Sequence, residues 1–480
     1  MTDSESQTPT TGFADRSIVR TILVFGIPLV LGMGFHALFN LVDLWIVGKV
    51  GTAALAAVTI ASMINTIPMV ICNGLSTSSI AFMARNIGFG NMHRANEVMK
   101  QSFLLIVVLS LLMGVLPFFY ARDLVLLLNA TGPEVINPAT EYLQVMSLGT
   151  ITMFLLMQIT ASLRAVGDGM WPMILLIGAN LLNVILDVGL VFGKFGLPAM
   201  GAPGAAYATV IARGIFCVPG LIVLARGKDG LRLTLTRWKV RIRMMLQLIR
   251  VGMPASAQFV VRIIAYLAIL WIIGDYDSTL RPTFGHTAQA AFGVGLRLDL
   301  FAIFSGFGWG AAASTLVGQN LGRGRPDRAA QATWVSVVLN VIMMTGIGIL
   351  YFIFAPDLIR FFGADREIFD PGAAMALGGF DAVVEAGTTY LHIIVFSYVF
   401  VAVSLVLAQA LNGAGSTRTP MVIDAAGLLG LQLPLAWYLS RDAGFGLAGV
   451  WYAVVISNAV IAVVYVIWFR LGHWKRKELW

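Results

Sequence analysis

The feature that most limits what this chain can become is a series of apolar runs of 20 to 30 residues, broken by short segments that hold most of the charge. A helix of about 20 apolar residues crosses a bilayer core. Inside a bilayer every backbone N–H and C=O must find a partner within the structure, so only helices and closed barrels span it. Runs this long and continuously apolar are not barrel strands, which alternate over about 10 residues. The expected fold is an all-α polytopic membrane protein. Twelve spans are drawn at 18–46, 53–83, 97–120, 136–163, 170–193, 202–225, 243–273, 286–316, 329–355, 386–411, 418–439 and 446–470. Several exceed the crossing length, so tilted or bent helices are expected. Only 12% of residues are charged, about half the usual soluble share. The 50 glycines suit helices that pack closely in a membrane.

Charge sets the orientation. With span-end residues counted in the adjoining segments, 22 Lys and Arg fall on the side holding both termini and 7 on the other. Positive residues favour the cytoplasmic side, so both termini are expected there, with the chain in the plasma membrane (the inner membrane of a Gram-negative host). Nothing at the N-terminus reads as a cleavable leader. The stretch RGKDGLRLTLTRWKVRIR, 226 to 243, is basic, and the anionic inner leaflet accounts for that charge. No accompanying domain points to nucleic acid, which is not an expected partner. Cys72 and Cys217 lie within apolar runs and read as packing residues rather than a disulfide or metal site.

The two halves of the chain resemble each other. ARNIGFGNMHRA (84–95) matches GQNLGRGRPDRA (318–329), LRAVGDGMWPM (163–173) returns as LNGAGSTRTPM (411–421), and GAAYATVIA (204–212) as GVWYAVVIS (449–457). Pro28 and Pro254 each stand in a G-x-P within the first span of their half. The offsets are 234, 248, 245 and 226 residues, in preserved order. Six spans per repeat is an even number, so both halves enter the membrane in the same sense. Two pseudo-twofold-related six-helix lobes around a central cavity are expected, an arrangement suited to alternating access. The expected divisions are a tail at 1–17, an N-lobe at 18–225, a basic linker at 226–242, a C-lobe at 243–470 and a tail at 471–480. Two related bundles without transport are the plainer alternative.

Polar residues stand out against this background. His36, Asn40 and Asp43 are spaced i, i+4, i+7, which puts them on one face of the first span. Asn180, Asn183 and Asp187 repeat the device in the fifth. Both spans run away from the termini, and each acid lies six or seven residues before a lysine, Lys49 or Lys194, roughly 9 to 11 Å below it. The acids should therefore share a depth, with Tyr207 and Thr209 of the sixth span near that level. A carboxylate facing hydrocarbon is costly, so both are functional candidates. Two neighbouring carboxylates repel and favour capture of a proton, or of Na⁺ with amide and hydroxyl oxygens completing its shell. A cationic solute would compete for the same negative charge, the simplest route to antiport. The alternative is that both acids only position helices. By the repeat offsets Asp43 corresponds to Ile269 and Asp187 to Leu435, so the second lobe carries no echo of them.

Other polar groups admit two readings. Arg262, Arg297, Asp299 and Asp424 read as interhelical ion pairs, or as a second coupling or substrate site. Asp381 and Glu385 read as loop or helix-start acids, and His392 and methionines such as Met157 as packing groups or an adaptable solute surface. Gly26 and Pro28, with Gly32 and Gly34, are expected to let the first helix bend. The patterns G-x-x-x-x-G-K-[ST], H-E-x-x-H and G-x-S-x-G are absent, so no enzymatic activity or cofactor is expected.

With NLVDLWIVGKVGTAALAAV (40–58), ARNIGFGN (84–91), LRAVGDGMWP (163–172), NVILDVGLVFG (183–193), VGQNLGRG (317–324) and LNGAGSTRTP (411–420), the chain resembles the multidrug and toxic compound extrusion (MATE) family. The likeness runs from Ser17 to about Arg470 and looks closer to prokaryotic members, including the DinF-like group. It implies a V-shaped pair of lobes and export of amphipathic, often cationic drugs in exchange for H⁺ or Na⁺. Asp43 looks like the family's first-helix coupling acid, Asn183 and Asp187 fit its fifth-helix element, and Asn180 and Thr209 complete the pocket. His36, Asn40, Tyr207, Met157 and Arg297 are candidate cavity residues. Partners are then small solutes, H⁺ or Na⁺, and lipid, with the protein working as a monomer. No membrane-embedded acid of the second lobe aligns with those that couple Na⁺ in some relatives. The segment 356–385 is longer than its first-half counterpart. The alternative function is a flippase for a lipid-linked or polar intermediate, with Arg213, Arg262 and Arg297 supplying a basic cavity.

Overall fold

A computed structural model describes residues 17–128, 130–234, 238–280, 287–363 and 380–478. Parts of the expected tails, of the linker (235–237) and of the 356–385 segment (364–379) lie outside them. Among the described residues eleven helices are long and apolar enough to cross a membrane, and a bent pair supplies a twelfth span. The first six spans are Ile18–Gly48, Thr52–Gly88, Met92–Phe119, the pair Pro133–Leu148 and Thr150–Val166, Met170–Phe192, and Ala202–Arg226. The second six begin with Ile242–Leu280, Thr287–Gly322 and Pro326–Ile353. The tenth runs from Phe380 to Gly413, the eleventh from Arg418 to Arg441, and the twelfth is Leu447–Leu471. Short helices Ala121–Leu127 and Ala355–Gly363 follow the third and ninth spans, again 234 residues apart.

Three spans depart from straight helices. The fourth bends by 44° at Gly149, where a side chain would collide with Val210 of the sixth span, 2.0 Å from its Cγ2. The tenth contains a tight 3₁₀ turn, Val395–Ser397. The eleventh widens to a π-helix over Ala425–Gln432, just before Pro434. Proline has no N–H for the usual bond, and its ring crowds the carbonyl four residues back, here that of Gly430. The first span, by contrast, is continuous through Gly26 and Pro28. Gly26 is instead a contact glycine: a Cβ there would lie 2.6 Å from the ring of Trp309.

Within the first bundle the packed pairs are first–fifth, second–third, second–fourth, third–fourth, fourth–sixth and fifth–sixth. Adding six to every number gives the packed pairs of the second bundle. The bundles meet through first–eighth, second–seventh and second–eighth contacts.

Glycines bring those contacts down to backbone distance on the termini side. A Cβ on Gly88 would lie 2.1 Å from the Gln319 carbonyl oxygen, and one on Gly322 would lie 2.1 Å from that of Arg85. Arg85 and Gln319, like Gly88 and Gly322, are separated by the 234-residue repeat offset. The repeated N-x-G motif therefore forms a self-complementary contact about the pseudo-twofold axis, as in a symmetric dimer. Gly74 against Ser256 and Gly308 against Val30 form a second such pair. Exposure mirrors this seam. In the second span residues 70–88 include no exposed position, whereas Thr59, Ser62, Met63 and Ile67 nearer the far side are exposed. The bundles are closed together at the termini side and part toward the other.

The linker is docked on the first bundle. Leu231 is buried, Arg232 N donates to Asn96 Oδ1 (2.7 Å) and Arg241 N to Gln101 Oε1 (2.9 Å). Lys228 pairs with Asp168 at 3.2 Å.

Candidate cation and solute site

The first and fifth spans pack side by side, and this contact unites the two polar stripes. His36 Nδ1 lies 3.3 Å from Asn180 Nδ2 and 3.4 Å from its Oδ1. Two turns further out, the carboxyl groups of Asp43 and Asp187 meet side chain to side chain. Asp187 is fully buried. Both of its oxygens and Oδ1 of Asp43 have no hydrogen-bond donor among the described residues. Carboxylates are acceptors only, so such a contact lacks a bond unless a proton or another cation supplies it. One turn before Asp187, Asn183 Nδ2 donates to Thr209 Oγ1 of the sixth span at 3.3 Å.

Two neighbours of the acids were not read as such from the sequence. The guanidinium of Arg213, from the sixth span, acts electrostatically on Asp43. Tyr142, from the fourth, is buried within the field of both acids. Arg213 did carry a signal, being one of three arginines inside spans. Tyr142 looked like any aromatic residue in an apolar run.

Several expected members stand elsewhere. Thr209 faces Asn183, and Tyr207 two residues earlier is on the opposite side of its helix and exposed. Asn40 is exposed. Met157 packs against the apolar core of the first bundle. Arg297 is half-buried in the second bundle, within the field of Tyr266. Among the described residues Asp299 has no arginine partner. It accepts hydrogen bonds from the Tyr390 and Tyr398 hydroxyls, the latter at 2.6 Å. Arg262 does form an interhelical ion pair, with Asp424 at 2.8 Å. Of the three arginines that a basic flippase cavity would use, Arg262 is thus ion-paired with a carboxylate and Arg213 lies within the field of Asp43. His392 rests on Phe352, ring centroids 4.5 Å apart, Asp381 and Glu385 lie exposed near the start of the tenth span, and Cys72 and Cys217 are buried and free. Among the described residues no three His, Cys, Asp or Glu side chains cluster as metal ligands.

Chemically, the acid pair with Arg213 carries one excess negative charge when both acids are ionised. One captured monovalent cation brings it to neutrality. Two unit charges about 4 Å apart repel by about 4 kcal/mol at the effective dielectric of a protein site, so that capture is strongly driven.

Twelve apolar spans in two equivalent bundles, with a buried acid pair in one of them, define a membrane transporter of the repeat-built class. The chain belongs to the MatE family, whose sequence profile matches residues 28–188 and 263–438, one stretch in each bundle. It is 25% identical to a probable multidrug resistance protein NorM of Thermotoga maritima, over 92% of this chain and 90% of that protein. It is 26% identical to an FAD transporter of Shewanella oneidensis, over 94% of each. A solved structure described as the outward-facing conformation of a multidrug resistance MATE family transporter superposes with TM-score 0.85. That match covers 96% of this chain and 98% of the other, at 22% identity.

Proposed function

We propose that this protein exports amphipathic, often cationic small molecules across the plasma membrane in exchange for protons. The observation that carries the reading is the contact between Asp43 and Asp187, with three buried oxygens that have no donor among the described residues. A shared proton completes such a contact. A sodium ion would need several oxygens around it at wider spacing, whereas Asn183 and Thr209 are engaged with each other. The names of relatives, which include multidrug resistance proteins and an FAD transporter, support solute export as the task.

In this reading residues 18–225 and 243–470 are the moving lobes. The linker 226–242 and the tails 1–17 and 471–480 lie in the cytoplasm with the basic side. The seam at Gly88 and Gly322 is then the closed inner gate, and the exposed half of the second span lines the outward cleft. A proton entering between the acids removes the net negative charge that holds a cationic solute, and the solute leaves outward. Loss of the proton to the cytoplasm restores the charge for the next load.

The test is solute flux in proteoliposomes with independently imposed pH and Na⁺ gradients, using wild type, D43N and D187N. A pH gradient alone should drive wild-type flux, and either substitution should abolish it at equal reconstitution. Undiminished flux in both variants would reject the acid pair. Flux that responds only to Na⁺ would reject the proton.

A further inference from the structure

The second bundle holds a polar centre of its own where the first has His36. The offset that places Pro28 on Pro254, 226 residues, places His36 on Arg262. Arg262 donates to Asp424 Oδ2 through Nε (2.9 Å) and Nη2 (2.8 Å). Gln258 Nε2 donates to the same oxygen at 2.8 Å, and the Tyr465 hydroxyl to Oδ1 at 2.7 Å. Four donors meet the lone-pair capacity of a carboxylate, and Asp424 is 2% exposed. The acid is therefore spent on holding one edge of the guanidinium.

The other edge is open. Nη1 of Arg262 has no hydrogen-bond partner among the described residues, and the side chain is 31% exposed. Arg262 lines an indentation with Gln258, Gln409, Phe259, Phe307 and Leu405. The Gln409 amide likewise has no hydrogen-bond partner among the described residues and is only half-buried. The rings of Phe259 and Phe307, both lining the indentation, stack nearly parallel, 17° apart with centroids at 6.2 Å. The surface offered is thus rich in N–H donors beside flat aromatic faces, with the balancing carboxylate hidden behind.

We infer that this indentation binds the acceptor end, a carboxylate or phosphate, of a planar aromatic solute whose ring lies against Phe259 and Phe307. Arginine suits the task because its planar fork meets such oxygens directionally while the far edge is fixed by Asp424. The indentation is small, so it takes the acceptor group and leaves the rest of the solute outside it. It lies in the bundle without the acid pair, and it recognises the opposite charge to that attracted by Asp43 and Asp187. The cleft walls would then differ in polarity, one selecting cations and the other acceptors. This inference does not depend on the coupling ion, and its test reads binding rather than flux.

The probes are flavin mononucleotide and riboflavin, which share one fluorescent ring and differ by a phosphate. Binding is followed by fluorescence anisotropy on the full chain in a maltoside detergent, which carries no phosphate. Wild type should bind the phosphorylated flavin about tenfold to a hundredfold more tightly than riboflavin, the worth of a charge-assisted hydrogen bond. The paired variant R262Q/D424N removes both charges and leaves no buried ion unpaired. It should erase that difference while riboflavin binding stays as it was. Q409L should reduce the difference in part, and F259A should weaken both flavins. Inorganic phosphate alone should compete poorly; competition equal to the flavin's would overturn the aromatic part of the site. Equal binding of the two flavins, or a difference that survives in R262Q/D424N, overturns the whole.

Discussion

Replacing Gly88 by alanine puts the close contact between the bundles to a quantitative test. The new Cβ would start 2.1 Å from the Gln319 carbonyl oxygen. Backbone atoms form that wall, so no rotamer change relieves the clash and the helices must part by about 1 Å. Overpacking of this kind costs about 1–3 kcal/mol. The cost falls only on the state in which the termini-side seam is closed. An equilibrium between that state and one opened at the seam then shifts by roughly 5- to 150-fold toward the opened form. Spin labels at F89C and R325C, both exposed positions beside the seam, read the separation by double electron–electron resonance in nanodiscs. The expected result is a second, longer distance population in G88A, and a similar one in G322A. The two are not expected to add, because they relieve the same contact. G346A is the control, since a Cβ there meets nothing within 4 Å. An unchanged distance distribution in both seam variants, with thermal stability also unchanged, would refute the claim that these glycines set the approach of the lobes.

Other substitutions separate structural from functional polar groups. D299N leaves the Tyr390 and Tyr398 hydroxyls without a charged acceptor and should cost about 2–4 kcal/mol, seen as a lower melting temperature in detergent with proton coupling retained in the remaining folded protein; lost coupling at unchanged stability would make Asp299 a coupling acid instead. R213Q removes the cation beside Asp43, so the acid pair holds a captured proton more tightly and keeps a net negative charge after capture, and the pH profile of flux should move to higher pH; an unaltered profile would show that Arg213 is only packing. Arg85 Nη1 donates to the Lys477 carbonyl at 2.6 Å and Trp474 is 1% exposed beneath that segment, so W474A should loosen the C-terminal strap over the seam and raise trypsin cleavage near Lys475 and Lys477, and equal cleavage rates would exclude the strap.

The spans were legible because membrane burial acts on every residue of a run. Bends were harder, because a bend can depend on a contact between segments far apart in sequence. Nothing near Gly149 announces that Val210 will lie against it at the 44° bend. The Ala425–Gln432 widening is an intermediate case, since Pro434 removes a donor but several helical responses to that loss are open. Asp43 and Asp187 were legible by cost, as acids in apolar surroundings. Their neighbours Arg213 and Tyr142 were harder. Periodicity places residues on a face of one helix and says nothing about which helix covers it.

The repeat explains why one scaffold holds both a symmetric seam and an asymmetric chemistry. Gly88 and Gly322, Gly74 and Gly308 occupy matched positions because each half must present the same backbone surface to the other. A change on one side alone would break the fit for both. Polar side chains whose main partners lie inside their own bundle, such as Asp43 with Asp187 and Arg262 with Asp424, escape that constraint. Hence Asp43 faces Ile269 across the offset, His36 faces Arg262, and Leu176 faces Asp424 at the 248-residue offset. Divergence was free to put a carboxyl pair in one bundle and an arginine edge in the other, while the surface on which the bundles meet stayed shared. The residues that repeat should accordingly govern motion, and those that do not should govern what is carried.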